Sequence, residues 1–113
     1  MNHAASRNGD EKYAQLVAQY VSSLPGKLLA LERAMNAGRA GDTSGLAEAR
    51  ELAHRIHGTG GCYGLRDLSE AAAVLDDVLT QMKRGAGGSW PQADEAVTLV
   101  RAVIENATTR AND

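Results

Sequence analysis

Apolar residues recur along the chain at intervals of three and four, and runs of alternating apolar and polar positions are absent, so every element the pattern predicts is a helix. From Tyr13 the stripe passes through Leu16, Val17, Tyr20, Val21 and Leu24, which predicts a first, short helix. Ser22 and Ser23 precede Pro25, and proline fits the first turn of a helix. A second helix is therefore expected to restart near Ser23, burying Leu24, Leu28, Leu31 and Met35 and closing at Gly38 and Gly41. Asp42, Thr43 and Ser44 supply N-caps for a third, with Leu46, Ala49, Ala53 and Ile56 inside and Gly60 and Tyr63 continuing the stripe. A fourth buries Leu65, Leu68, Ala72, Leu75, Leu79 and Met82. After the Gly85–Gly88 connection, Ser89 caps a last helix with Pro91 in its first turn and Ala93, Val97, Val100, Ile104 and Ala107 inside. Four long amphipathic helices with short connections imply an all-α, antiparallel up-down-up-down four-helix bundle, with the short N-terminal helix capping one end. The bundle is expected over residues 11–110, and the small, polar, patternless stretch 1–10 is expected to be a disordered tail.

Composition narrows the function more than the fold. A chain of 113 residues suits one domain, and 43% hydrophobic against 23% charged residues argues against wholesale disorder. With no Phe, the core must be aliphatic. Twelve Lys and Arg against fourteen Asp and Glu leave a net charge of −2, which lacks the basic excess of a nucleic-acid binder. The single Cys62 cannot form an internal disulfide and is expected to be a small, partly buried filler. No apolar run approaches the roughly 20 residues of a membrane span, and no apolar leader is visible at the N-terminus, so a cytoplasmic protein is expected.

The anomalous segment runs from Leu52 to Leu65 and places Gly58, Gly60 and Gly61 within a helical pattern. Each interior glycine costs about 0.8–1 kcal/mol relative to Ala, so the run needs either a loop or a reason for close approach. His54, His57, Gly58 and Gly61 fall at i, i+3, i+4 and i+7 and so share one face, apart from the Ala53/Ile56 stripe. Both histidines then point outward, on a patch of rigid helix stripped of side chains. Arg50 and His57 flank His54 on that face, with Arg55 beside it but angled away. An ordinary imidazole, with a pKa of about 6.5, is mostly neutral near pH 7, as a nucleophile must be.

Other chemistries fit less well. His54 and His57 could chelate zinc with Cys62, but a site needs three or four protein ligands, and Cys62 lies about 12 Å from His54 along a continuous helix. Gly58-Thr59-Gly60-Gly61 lacks the preceding strand and the Gly-Lys-Ser/Thr of a phosphate loop. Arg50 and Arg55 also suit an ordinary solvated face, with Glu48 and Glu51 as intrahelical partners.

The run His54-Arg55-Ile56-His57-Gly58-Thr59-Gly60-Gly61-Cys62-Tyr63-Gly64-Leu65-Arg66-Asp67-Leu68 resembles the signature of histidine-containing phosphotransfer (HPt) domains. His54, Ile56, Gly58, Thr59, Gly60, Gly64 and Leu68 match it, and His57 stands where the family commonly has Lys. The resemblance implies a phosphorelay intermediate rather than an enzyme. His54 would take a phosphoryl group from a receiver-domain aspartate, or from a histidine kinase, and pass it to another receiver. His57, Gly58 and Arg50 would support the phosphate, and Ala47, Glu51, Arg55, Gly61 and Arg66 would meet the partner. No cofactor is expected on this chain, since the resemblance puts Mg2+ on the receiver. A monomer is expected, with no metal, nucleic acid or membrane bound. The alternative is a degenerate HPt-like adaptor that binds receivers without carrying phosphate.

Overall fold

The chain forms helices α1 (Asn2–Arg39), α2 (Thr43–Cys62), α3 (Arg66–Arg84) and α4 (Trp90–Asn112). The computed structural model describes the backbone of residues 2–112 and the side chains of residues 9–112. Within these, the architecture is an all-α four-helix bundle.

The start of the chain departs from expectation. The short capping helix and the separate second helix are one 38-residue helix, α1, with Pro25 inside it. Tyr20, Val21, Leu24, Leu31 and Met35 make one continuous buried stripe across that position, while Pro25 itself is exposed. A proline inside a helix costs about 3 kcal/mol through its missing donor and its ring. Fully burying one Leu or Met contributes about 1.5–3 kcal/mol, so the unbroken stripe outweighs it. The turn before the proline also recruits side chains: Ser22 Oγ donates to the Ala18 carbonyl at 3.0 Å and Ser23 Oγ to that of Tyr20 at 2.6 Å. Residues 2–10, expected in a disordered tail, are helical backbone within α1, and Met1 lies outside the described residues.

Contacts between neighbouring helices pair rising numbers with falling ones. Tyr20 meets Thr59 across α1 and α2, where Gly38 also faces Leu46. His57 meets Ser69, and Arg50 meets Thr80, across α2 and α3. Glu32 pairs with Arg101, and Arg39 with Asp94, across α1 and α4. The enclosed core is aliphatic: Leu24, Leu31, Ala49, Ala53, Leu75, Leu79, Ala93 and Val100 are fully buried, and no described polar or charged residue is.

Local chemistry explains the connections. Asp42 caps α2 by accepting from the Ser44 amide at 2.9 Å and from Ser44 Oγ at 2.6 Å. The same bonds hold its carboxyl below the ordinary value of 3.8. Gly64, at φ +73°, ends α2 in the left-handed region and lets the Leu65 amide return to the Gly60 carbonyl at 2.8 Å. This turn folds α3 back along α2.

Helix α1 closes at Arg39, between Gly38 and Gly41 as expected: Gly41, at φ +106°, donates its amide to the Gly38 carbonyl at 3.0 Å. Gly38 also sits opposite Gly45, where the two backbones nearly touch. A Cβ on Gly45 would fall 2.6 Å from the Gly38 amide nitrogen and 2.9 Å from the Ala34 oxygen. No described helix is long and apolar enough to cross a membrane.

Gly45→Ala should therefore destabilise the bundle by about 1–3 kcal/mol in urea unfolding, as overpacking does. Gly26→Ala, whose Cβ meets nothing within 4 Å, should instead stabilise it by about 0.4–1 kcal/mol. Because the Asp42 carboxyl is held below 3.8 in the fold, its stabilising effect is complete above that pH and is lost as the pH falls through the lower folded value. Thermal unfolding of Asp42→Asn should accordingly decline less steeply with acid than that of the wild type.

Candidate functional site

The rotation of α2 about its own axis decides which side chain faces outward. Ala49, Ala53, Ile56 and Gly60 are buried, and this stripe turns the neighbouring position 54 toward the open seam with α3. The His54 side chain is 58% exposed, whereas Asp76 beside it on α3 is only 16% exposed. His54 Nδ1 lies 2.9 Å from Asp76 Oδ2. An ionised carboxylate only accepts hydrogen bonds, so this geometry makes Nδ1 the donor, and in the neutral ring Nε2 keeps its lone pair.

Asp76 is itself held. Thr80 Oγ1 donates to its Oδ1 at 3.2 Å, Arg50 Nε stands 3.4 Å from the same oxygen, and Arg50 Nε donates to Thr80 Oγ1 at 3.3 Å. Arg50, expected beside the phosphate, is thus turned toward α3.

One turn beyond His54 the surface is bare. A Cβ on Gly58 would meet nothing within 4 Å, and one on Gly61 only Ser69 Oγ, at 3.4 Å. Helix α2 continues through Cys62, so the glycine run is neither a stop nor a loop.

His57 departs from the expectation that both histidines point outward. It is half-buried, with Nδ1 2.9 Å from the Ser69 carbonyl oxygen and 3.0 Å from Ser69 Oγ. Ser69 Oγ in turn donates to the His57 carbonyl at 2.8 Å. A helical wheel treats α2 alone; the first turns of α3 cover position 57 and convert it into a clasp between the two helices.

The remaining expected residues divide into two groups. Ala47, Arg50, Glu51 and Arg55 line a shallow depression of about 480 Å³ with His54 and Lys83. Arg55 there pairs with Glu51 at 2.9 Å. Gly61 and Arg66 lie further along, in a second depression with Ser69 and Glu70. Cys62 is exposed rather than a partly buried filler. It does not converge with the histidines, and among the described residues no three metal-ligating side chains form a group.

On the opposite flank of α2, Thr59 Oγ1 donates to the Arg55 carbonyl at 2.7 Å, so the Tyr20 hydroxyl, 2.6 Å away, donates to Thr59. Burial there raises the Tyr20 pKa. Tyr63 packs on Tyr20 with ring centroids 4.9 Å apart.

Asp76, Thr80 and Ser69 were not singled out from the sequence. The available signal was the turn at Gly64: folding the chain back there sets Asp76 opposite His54, and Thr80 follows Asp76 at i+4.

A family model described as the Hpt domain matches residues 15–110. No curated protein and no solved structure matches the chain.

Since Gly58 is helical and faces open space, Gly58→Ala should raise stability in urea unfolding by about 0.8–1 kcal/mol, the opposite sign to Gly45→Ala. A loss of stability at position 58 would show that the bare patch is packed against something.

Proposed function

The chain belongs to the Hpt domain family, and we propose that it is a phosphorelay intermediate in two-component signalling whose phosphoryl carrier is His54. The observation that supports this most is the exposed imidazole with Nδ1 occupied, Nε2 free and the bare Gly58 beside it. Phosphoryl transfer passes through a loose, in-line transition state governed by positioning and charge stabilisation. A presented lone pair and an unobstructed approach are what a carrier must contribute. The partner, a receiver domain or a histidine kinase, contributes the rest, including the Mg2+ of the receiver. The chain acts as a monomer, binds no cofactor and is a substrate and donor for its partners rather than a free-standing enzyme.

Ala47, Glu51 and Arg55 meet the partner on one side of His54, and Gly61 and Arg66 on the other. Gly58 leaves room for the partner's backbone and for the phosphorylated ring. Phosphorylation adds about −1.5 to −2 charges, and the cation nearest the ring, Arg50, acts from within the Asp76–Thr80 cluster rather than by direct contact with the phosphate.

Incubation with a phosphorylated receiver should label the wild type with an acid-labile, alkali-stable phosphoryl group and leave His54→Gln unlabelled. A wild type that binds receivers but stays unlabelled would be an adaptor and would overturn the carrier reading. Gly58→Leu should keep the fold yet slow transfer by about 100-fold, the scale on which misplaced reactants lose rate. An unchanged rate would contradict the role given to the bare patch.

A further inference from the structure

We infer that Asp76 is a positioning residue: it selects the nitrogen of His54 that takes the phosphoryl group and balances the charge that the ring acquires. This rests on His54 being the carrier. A free histidine in water favours the tautomer with its proton on Nε2, which would block that nitrogen as a nucleophile. At His54 the preference is reversed by an acceptor 2.9 Å from Nδ1. Which ring nitrogen is protonated is set by the hydrogen bonds the ring makes, and here Nδ1 faces a carboxylate, which can only accept.

The carboxylate is suited to the task because it is not free to turn away. Its Oδ1 is engaged by Thr80 and Arg50, which leaves Oδ2 for the ring. It lies at the base of the seam, 16% exposed, with the 58%-exposed imidazole above it. Arg50 therefore reaches the reacting ring through Asp76.

The step balances as follows. The Nε2 lone pair attacks phosphorus of the receiver's aspartyl phosphate, the bond from phosphorus to the acyl oxygen breaks, and the receiver aspartate leaves as a carboxylate. The Nδ1 proton stays in place, so the product is an N-phosphoimidazolium whose ring charge faces Asp76. In the reverse direction the P–N bond breaks and its electron pair returns to Nε2. The ring leaves more readily because Nδ1 is still protonated.

The test uses the full chain with 15N-labelled histidine. In the unphosphorylated wild type, His54 should give the NMR signature of an Nδ1-protonated ring, and Asp76→Ala should shift it toward the Nε2-protonated form. Labelling by phosphoramidate, a small donor that bypasses docking, should modify Nε2 alone in the wild type. It should be at least about tenfold slower in Asp76→Ala, the lower end of what lost orienting partners of a histidine usually cost. Asp76→Asn, which keeps the shape and an acceptor oxygen but not the charge, should fall between the two, and Asp77→Asn, on an exposed neighbour, should match the wild type. The inference is overturned if wild-type His54 is protonated on Nε2, or if Asp76→Ala and Asp76→Asn both match the wild type in tautomer and labelling rate. The tautomer is read without any phosphoryl group. A wild type with the expected tautomer that no donor labels would thus overturn the carrier reading, whereas a labelled wild type whose ring is protonated on Nε2 would overturn the role of Asp76 alone.

Discussion

The burial of a narrow stripe of small and aliphatic side chains on α2 is the constraint on which the rest depends. Ala49, Ala53, Ile56 and Gly60 are all buried, and together they fix the helix in rotation. A turn of the helix by one position would draw His54 inward and expel Ile56, losing about 1.5–3 kcal/mol for that side chain alone. The exposed imidazole is thus a consequence of core packing, not of a flexible loop. Small residues also let the neighbouring helices approach: Gly45 brings the α1 backbone to within touching distance, and Gly60 seats Leu68 of α3.

From this rotation follows the arrangement of the α2–α3 seam. The turn at Gly64 sets the register, and three polar contacts then repeat along the two helices: His57 with Ser69, His54 with Asp76, and Arg50 with Thr80 and Asp76. They sit outside the aliphatic core, so they add direction without burying charge. The clasp at His57 holds the helices together at one end of the seam, and the Arg50–Asp76–Thr80 cluster orients the ring in its middle.

Most of the bundle was legible in the sequence because a 3.6-residue period survives any tertiary context that buries one face. The stripes of α2, α3 and α4 were read nearly position for position, with Gly45, Ala71 and Ala96 as additional buried residues and Leu46, Tyr63, Leu65, Met82 and Ala107 only partly buried against the core. Pro25 misled because a local signal, proline after two serines, was weighed without the continuity of the stripe on either side. Its exposed position lets α1 absorb the lost hydrogen bond. At the site, the exposure of His54 and the open space at Gly58 followed from the wheel of one helix. The fates of His57 and Arg50 did not, because both are decided by α3, and a wheel carries no information about a neighbour. Asp76 needed the register of the hairpin, which only the turn geometry at Gly64 supplies.

The central claim is that a single nitrogen, Nε2 of His54, bears the transferred group. The most direct measurement is 31P NMR of the phosphorylated full chain under alkaline conditions, with the site assigned through coupling to 15N-labelled histidine. One phosphohistidine resonance, coupled to Nε2 of His54, is the predicted result. A resonance that couples to Nδ1, or to another histidine, would contradict the account.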